Sequence, residues 1–211
     1  MDREETIRQY LMEKYHPSVL ISYGSFADGS AGPGSDYDAM LVYNGPECHD
    51  GSVVGGTALD VFCYPEDRFA DSFNPEDYLG VYDGIILMDT HGLGQKIRNQ
   101  VRDFIQSVPQ KTEAQLRHEI EWCKKMLVRS RRGDAEGYFR WHWVLVDSLE
   151  FYFDIVGRFY FGPKKSLRYL KENDSRAFAC YEAAVREFSA DSLRAWIEYL
   201  DSLFQERFPR A

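Results

Sequence analysis

The sequence predicts an α+β (α/β) fold built on a short mixed sheet, followed by an all-α helical bundle. Short apolar segments typical of strands fill the first half, whereas apolar residues recur at helical spacing through the second. Strands with a few covering helices suit a layered fold. Charge also divides the chain, because residues 1–110 carry 7 Lys and Arg against 18 Asp and Glu, and residues 111–211 carry 18 against 16. We therefore predict two domains, 1–110 and 111–211.

The first half is predicted to open with a helix over residues 2–15, which His16 and Pro17 end. Apolar segments then predict strands over 19–23, 37–43, 57–63 and 84–89. The last strand leads into a helix over the segment GLGQKIRNQVRDFI. This order places several polar residues at the ends of neighbouring strands.

The second half is predicted to be entirely helical. Thr112 resembles a helix N-cap, and Gly with Asp or Pro separates later segments. The predicted helices cover residues 113–131, 135–157, 163–172, 176–188 and 190–207. Helices of this length with short connections are typical of an antiparallel bundle.

Three carboxylates carry the chemistry of the first half. Asp36 and Asp38 are two residues apart, so they project from the same side of an extended segment. Asp60 lies within a second apolar segment, TALDVFC. Clustered acids repel one another, and Mg²⁺ offsets that repulsion while binding substrate phosphates. Asp50 is a rival third acid, but its loop, CHDGSVVGG, predicts a surface turn.

A glycine-serine pair precedes these acids. Gly24 and Ser25 follow the apolar segment VLISY, and glycine lets a backbone approach a ligand closely. Backbone amides at a turn that opens into a helix favour phosphate oxygens, and the Ser25 hydroxyl adds a donor. A nucleoside triphosphate is the ligand that such a bend and a divalent cation would bind together.

The stretch GSFADG at 24–29, followed by SDYD at 35–38, resembles the signature of the DNA polymerase β-like nucleotidyltransferases. The spacing is similar to that in small bacterial members, including antibiotic-type enzymes that act on aminoglycosides or lincosamides. The resemblance implies that Gly24 and Ser25 bind the triphosphate. It also implies that Asp36, Asp38 and Asp60 hold two metal ions, Mg²⁺ with Mn²⁺ as an alternative. Many minimal members carry an arginine after the Gly-Ser pair, whereas this chain has Phe26.

The resemblance implies an enzyme that moves a nucleoside monophosphate, AMP from ATP, to a hydroxyl of a small acceptor and releases pyrophosphate. Another nucleoside triphosphate is an alternative co-substrate. Two other functions stay open at this point. One is an antitoxin-type enzyme that AMPylates a protein, and the other is a non-catalytic homologue that only binds nucleotide. The resemblance also leaves a homodimer open.

The bundle offers a candidate catalytic base in the segment WHWVLVDSLEFYFDIVG, which is apolar nearly all round and is therefore predicted to be largely buried. Glu150 lies on an apolar stripe there, and burial would raise the pKa of its carboxyl. Such a group would suit proton abstraction from a hydroxyl. Asp147 is its competitor, and an internal salt bridge to Arg140 or Arg168 is the structural alternative. His142 is predicted to be a core residue.

Lys164 begins a predicted helix after Gly162 and Pro163. A lysine there would neutralise a triphosphate as a point charge. The structural alternative is a solvated surface lysine. We predict a nucleotide contact for Lys164 as the second candidate role in the bundle.

Bulk composition limits the partners. The formal net charge of −9 and an isoelectric point near 5.1 argue against a nucleic-acid partner and favour a cationic small acceptor. Apolar runs such as GIILM are too short to span a bilayer, so no membrane partner is expected. The four cysteines lack metal-ligand spacing, and Cys63 and Cys123 are predicted core residues. A cytoplasmic location with reduced thiols is the expectation.

Overall fold

The computed structural model of the chain describes residues 3–209. It divides into two compact units, Met1–Val108 and Pro109–Ala211. Two hydrophobic clusters lie in the first unit and one lies in the second. Met1 and Asp2 lie outside the described residues, and the part of the first predicted helix that includes residue 2 lies there with them.

The first unit is a mixed sheet covered by helices. Its helices and strands, in chain order, are α1 (Arg3–Tyr15), β1 (Val19–Tyr23), α2 (Gly24–Ala27), β2 (Tyr37–Tyr43), β3 (Cys48–Asp50), β4 (Val53–Val54), β5 (Thr57–Pro65), β6 (Ile85–Asp89) and α3 (Leu93–Ser107). Two 3₁₀ segments, Glu66–Phe69 and Pro75–Tyr82, connect β5 to β6. The four predicted strands are confirmed, each within two residues at either end.

The sheet has six strands in the order β3-β5-β2-β1-β6, with β4 paired to β5. β2 and β5 run parallel, and the other pairs are antiparallel. The predicted mixed sheet is therefore confirmed. The sequence does not predict β3 and β4, because strands of three and two residues are too short to show an alternating pattern.

Side-chain alternation separates the two faces of this sheet. On one face, Ala39 and Leu41 of β2 lie in a buried cluster with Leu11 of α1. On the other, Met40 lies in a buried cluster with Ile97 of α3. We call these the α1 face and the α3 face. Every residue of β2 and β5 can be assigned to one face by its parity along the strand.

The second unit is helical in all its regular structure among the described residues. Its helices are α4 (Glu113–Ser130), α5 (Ala135–Ile155), α6 (Pro163–Asn173), α7 (Ser175–Glu187) and α8 (Ala190–Arg207). All five predicted helices are confirmed within two residues at each end. Thr112 caps α4 with Gln115 in a reciprocal capping box, as its sequence context predicts. Fully buried Trp196 donates its indole N–H to Ser148 Oγ at 2.8 Å inside the core.

The cysteines follow the prediction, because Cys63 and Cys123 are fully buried. Cys48 is exposed and Cys180 is half-buried, and none forms a disulfide. Within residues 3–209, no helix combines the length and the apolar character needed to cross a membrane.

Candidate functional site

Two of the predicted carboxylates are neighbours across parallel strands. Asp38 of β2 and Asp60 of β5 are register partners in the ladder. Asp38 has the parity of Met40 along β2, so both carboxylates belong to the α3 face. Adjacent strands lie about 4.8 Å apart, which places two negative charges close together. A divalent cation would stabilise this arrangement.

Asp36 lies one residue before β2 and is exposed. Within the described part of the chain, no three His, Cys, Asp or Glu side chains form a group that could hold a metal ion as they stand. Mg²⁺ nevertheless needs only one or two protein carboxylates, because water and substrate phosphates complete its shell. Asp38 and Asp60, as register partners on adjacent strands, offer two such carboxylates, and Asp36 is the nearest further carboxylate along the chain.

Gly24 lies against one of these carboxylates. Its φ is +67°, a left-handed conformation that glycine adopts without strain. A β-carbon placed on Gly24 would overlap Oδ2 of Asp38 and lie 3.0 Å from its Cγ. A side chain at this position would therefore both strain the backbone and displace Asp38. The glycine that the sequence assigns to phosphate binding thus has a second role, which is to leave room for a carboxylate.

Ser25 follows in α2, a single turn that starts where β1 ends. Its side chain is buried, with 2% of the residue exposed. The predicted phosphate contact of Ser25 stays a prediction. Because β1 ends at Tyr23, the register partner of Asp38, the bend at Gly24 lies beside the start of β2.

Tyr23 is a neighbour of both acids that the sequence does not single out. It is the register partner of Asp38 across β1 and β2, and its hydroxyl donates to the Ala39 carbonyl at 3.3 Å. Burial raises the pKa of Tyr23 well above its usual value, and the negative charges of Asp38 and Asp60 add to the rise. Tyr23 therefore stays a neutral donor beside the carboxylates. No motif indicated it, because its position depends on strand pairing.

His49 is the second unpredicted residue at the site. Its Nε2 lies 2.7 Å from Oδ1 of Asp60, and its ring packs against Phe62 with centroids 4.9 Å apart. The sequence places His49 in a glycine-rich loop, and no local pattern connects it with Asp60. The antiparallel pairing of β3 with β5 brings the two residues together.

The prediction that Asp50 lies in a surface turn is wrong. Asp50 ends β3 and is only 4% exposed. Its carboxylate accepts hydrogen bonds from the Tyr15 hydroxyl at 2.8 Å and from Lys14 Nζ at 3.0 Å. Burial favours a higher pKa, but bonds from Ser52, Lys14 and Tyr15 outweigh it and hold the pKa of Asp50 well below its usual range. The residue is thus a structural anion.

A small pocket of about 130 Å³ continues the α3 face beyond the two carboxylates. Its lining includes Met40 and Phe62, each two residues after Asp38 or Asp60 on its strand. The other lining residues are Tyr23, Tyr64, Asp77, Tyr78, Gly80 and Val81. The pocket is thus aromatic and carries one acid, so it is unsuited to a phosphate group.

Arg3 brings a positive charge to the glycine-rich loop, which has no basic residue of its own. Its Nη2 donates to the Gly32 carbonyl at 3.3 Å. Its guanidinium also lies over the Phe26 ring, 5.2 Å from the centroid. A cation from α1 therefore lies beside a loop that contains no basic residue.

In the second unit, one side of the segment that contains Glu150 is buried as predicted, but the prediction is wrong for Glu150 itself. Glu150 is exposed, and so are its stripe neighbours Phe139 and Val146, at 64% and 66%. The burial on which its proposed role as a base depends is therefore absent, and that role stays an untested prediction. Arg140, one of its considered partners, pairs with Glu136 instead.

Asp147, the competitor of Glu150 on α5, has the more buried carboxyl group of the two. It is half-buried, and burial raises the pKa of its carboxyl, with a hydrogen bond to Trp143 acting in the opposite direction. His142 is exposed, so the prediction that it is a core residue is wrong. Lys164 is also exposed at the start of α6, and its nucleotide contact stays a prediction.

Comparison with known proteins gives the class of this molecule. The family described as "Nucleotidyltransferase domain" matches residues 4–142, more than half of the chain. The chain therefore belongs to the nucleotidyltransferase domain family. The matched segment contains Gly24 and Ser25 as well as all three predicted acids. The resemblance is confirmed at this level, and the antibiotic-type subfamily stays a prediction.

One solved structure that matches is a nucleotidyltransferase-like protein from Exiguobacterium sibiricum 255-15. It is 12% identical, with a TM-score of 0.43, and the match covers 98% of this chain and 76% of that one. No curated protein sequence matches the chain. Membership of the family thus depends on the matched segment alone.

Proposed function

We propose that this protein is a metal-dependent nucleotidyltransferase that moves a nucleoside monophosphate, AMP from ATP, to a hydroxyl of a small acceptor. One observation carries the proposal. Asp38 and Asp60 are register partners on parallel strands, beside a left-handed Gly24 that has no room for a β-carbon. Two adjacent acids next to a tight backbone bend suit a metal-bound triphosphate.

The three acids have distinct places in this proposal. Asp38 and Asp60 would hold divalent cations from neighbouring strands, and Asp36 would add a ligand from the loop before β2. Mg²⁺ matches these hard oxygen donors, and Mn²⁺ accepts the same ligands. Bound cations of this kind neutralise phosphate charge and favour an ionised acceptor hydroxyl.

The backbone around Gly24 and Ser25 would bind the β- and γ-phosphates, with Arg3 supplying positive charge near the adjacent loop. In the reaction, the acceptor oxygen forms a bond to the α-phosphorus. The bond between that phosphorus and the oxygen bridging to the β-phosphate breaks, and pyrophosphate leaves. The hydroxyl proton passes to a carboxylate or to water. Asp60 lies on β5 two residues before Phe62, which lines the aromatic pocket.

The acceptor class is proposed from charge. Residues 1–110 contain 18 acidic against 7 basic side chains, so this unit would attract a cationic small molecule. This agrees with the antibiotic-type resemblance, which we keep as a proposal.

The test is transfer of label from α-³²P-ATP to a panel of small hydroxyl compounds in the presence of Mg²⁺. Wild-type protein is compared with Asp38→Asn and with Asp103→Asn, which removes an exposed acid on α3 away from the site. We expect a labelled acceptor and pyrophosphate with wild type and the control, and neither with Asp38→Asn. Equal pyrophosphate release by all three proteins would refute the proposal.

The same assay separates the two other functions. Label on a co-purifying protein, with no small acceptor modified, would support the protein-AMPylating alternative. Nucleotide binding without pyrophosphate release across the panel would support a non-catalytic homologue.

A further inference from the structure

We propose that His49 is a positioning residue that fixes the Asp60 carboxylate for metal binding. This inference deepens the proposed function and rests on it. It concerns a residue that neither the sequence motif nor the family match singles out. The argument depends on one hydrogen bond, on the packing of the imidazole ring and on the way in which β3 is held.

The hydrogen bond is short and its direction is fixed by chemistry. Nε2 of His49 lies 2.7 Å from Oδ1 of Asp60. An ionised carboxylate only accepts hydrogen bonds, so Nε2 must carry the proton and donate it. The contact occupies one oxygen of Asp60. The other, Oδ2, has no hydrogen-bond partner among residues 3–209 and is left for a cation.

The imidazole ring is itself held in place. His49 and Phe62 are register partners, and their rings pack with an interplanar angle of 51°. Phe62 lies two residues after Asp60 on the same face of β5. The ring of His49 therefore rests on one residue of β5 and bonds to the next residue of the same face. This packing limits the orientations from which His49 can donate to Asp60.

β3 is anchored from the opposite face. Asp50, the residue after His49 in β3, points to the α1 face, where it accepts hydrogen bonds from Tyr10, Tyr15 and Lys14. Consecutive strand residues alternate between faces, so these hydrogen bonds hold β3 from the face opposite to His49. A three-residue strand would be easily displaced without such contacts. Helix α1 thus supports the imidazole through Asp50 and the backbone of β3.

A carboxylate on a half-exposed strand position has several accessible rotamers. The Asp60 side chain is 43% exposed, and apart from His49 no hydrogen bond to it is found among the described residues. Loss of the imidazole donor would let the carboxylate rotate away from Asp38. Partners that orient metal ligands typically change metal affinity 10- to 100-fold when removed. We expect the lower end here, since the contact is exposed to water.

The experiment compares two substitutions of His49. His49→Phe keeps the packing on Phe62 and removes the donor, whereas His49→Gln keeps an N–H group at a similar reach. His91→Phe is the matched control, because His91 is an exposed histidine of the same unit in the loop before α3. Mn²⁺ binding is measured by electron paramagnetic resonance, with and without a non-hydrolysable ATP analogue. Thermal unfolding of every variant is recorded in parallel.

We expect about tenfold weaker Mn²⁺ binding by His49→Phe, substantial recovery in His49→Gln, and no change in His91→Phe. In an Asp60→Asn background, His49→Phe should have no further effect, because the two residues act as one unit. Unchanged or tighter Mn²⁺ binding by His49→Phe would overturn the inference. So would an equal loss in the Asp60→Asn background, or absence of Mn²⁺ binding by the wild type.

Binding and turnover fail in different ways, so the inference and the proposed function can be told apart. A His49-dependent Mn²⁺ affinity with no transfer to any acceptor would refute catalysis and leave the positioning role standing. Transfer activity with the same Mn²⁺ affinity in His49→Phe and wild type would refute the positioning role alone.

Discussion

Asp50 and Asp60 lie on paired strands, point to opposite faces of one sheet, and differ in nearly every physical respect. Asp50 is buried and accepts hydrogen bonds from several donors, including Lys14 and Tyr15. Asp60 is half-exposed and has His49 as its hydrogen-bond partner. A buried carboxylate with saturated oxygens contributes to the fold, whereas an accessible one with an open oxygen is available to a ligand. The comparison separates a structural acid from a candidate catalytic acid within eleven residues of sequence.

The largest expected effect is the loss of nucleotidyl transfer when the accessible carboxylate, Asp60, is replaced. Asp60→Asn should lower nucleotidyl transfer by about 10³-fold, or about 4 kcal/mol, because a neutral amide binds a divalent cation poorly. Its free energy of unfolding should change little, since the side chain is half-exposed. Steady-state kinetics and urea denaturation of the same preparation measure both quantities. A large loss of stability would erase the distinction from Asp50.

For Asp50→Ala we expect the reverse, which is a large loss of stability and a small loss of activity. Removing this carboxylate leaves Tyr10, Tyr15 and Lys14 without their acceptor, which should lower the free energy of unfolding by about 3 kcal/mol. Transfer by the folded fraction should fall much less than in Asp60→Asn. Chemical denaturation, with turnover normalised to folded protein, gives the comparison. A stability equal to that of wild type would mean that the network does not anchor β3.

A matched pair of glycine substitutions tests whether the space beside Asp38 is needed for the reaction. Gly24 and Gly29 both have left-handed φ values, +67° and +74°, so alanine should cost about 1 kcal/mol at either position. Only Gly24 has Asp38 against it, whereas a β-carbon on Gly29 meets open space. Gly24→Ala should therefore reduce transfer about tenfold more than Gly29→Ala. Equal activities of the two variants would show that the Asp38 contact does not matter to the reaction.

The smallest expected effect is the acid dependence of stability. The pKa of Asp50 is lowered in the folded state, so its contribution is present above the unfolded-state pKa of about 3.9 and is lost as pH falls towards the folded value. Between pH 5 and pH 3, wild type should lose about 1 kcal/mol more than Asp50→Asn. Urea denaturation at each pH tests this. Parallel pH profiles of the two proteins would contradict a lowered pKa.

The sequence predicts the architecture well because its signals are local. Strand β1 lies between Pro17 and Gly24, and helix α4 is capped by Thr112, whose capping partner Gln115 follows three residues later. The positions of Asp38 and Asp60 on separate strands also follow from apolar patterns around them. Each of these features is encoded within a few residues of the chain.

The remaining features depend on partners distant in sequence. His49 and Asp50 belong to a strand of three residues, whose existence depends on pairing with β5. No local pattern shows that Lys14 will meet Asp50, or that His49 will meet Asp60. The exposure of Glu150 has a related cause. Helix α5 carries apolar residues on several sides, and periodicity alone does not show which of them pack against other helices.

The in-register pairing of β2 with β5 has a consequence for misfolding. Side chains alternate along a strand, so a slip of β5 by a single position would move Asp60 into the apolar cluster of the α1 face and Val61 to the α3 face. An unpaired charge in that layer is strongly unfavourable. A chain with the shifted register would therefore be both inactive and unstable. The register that places Asp38 and Asp60 side by side is also the register that the free energy of folding favours.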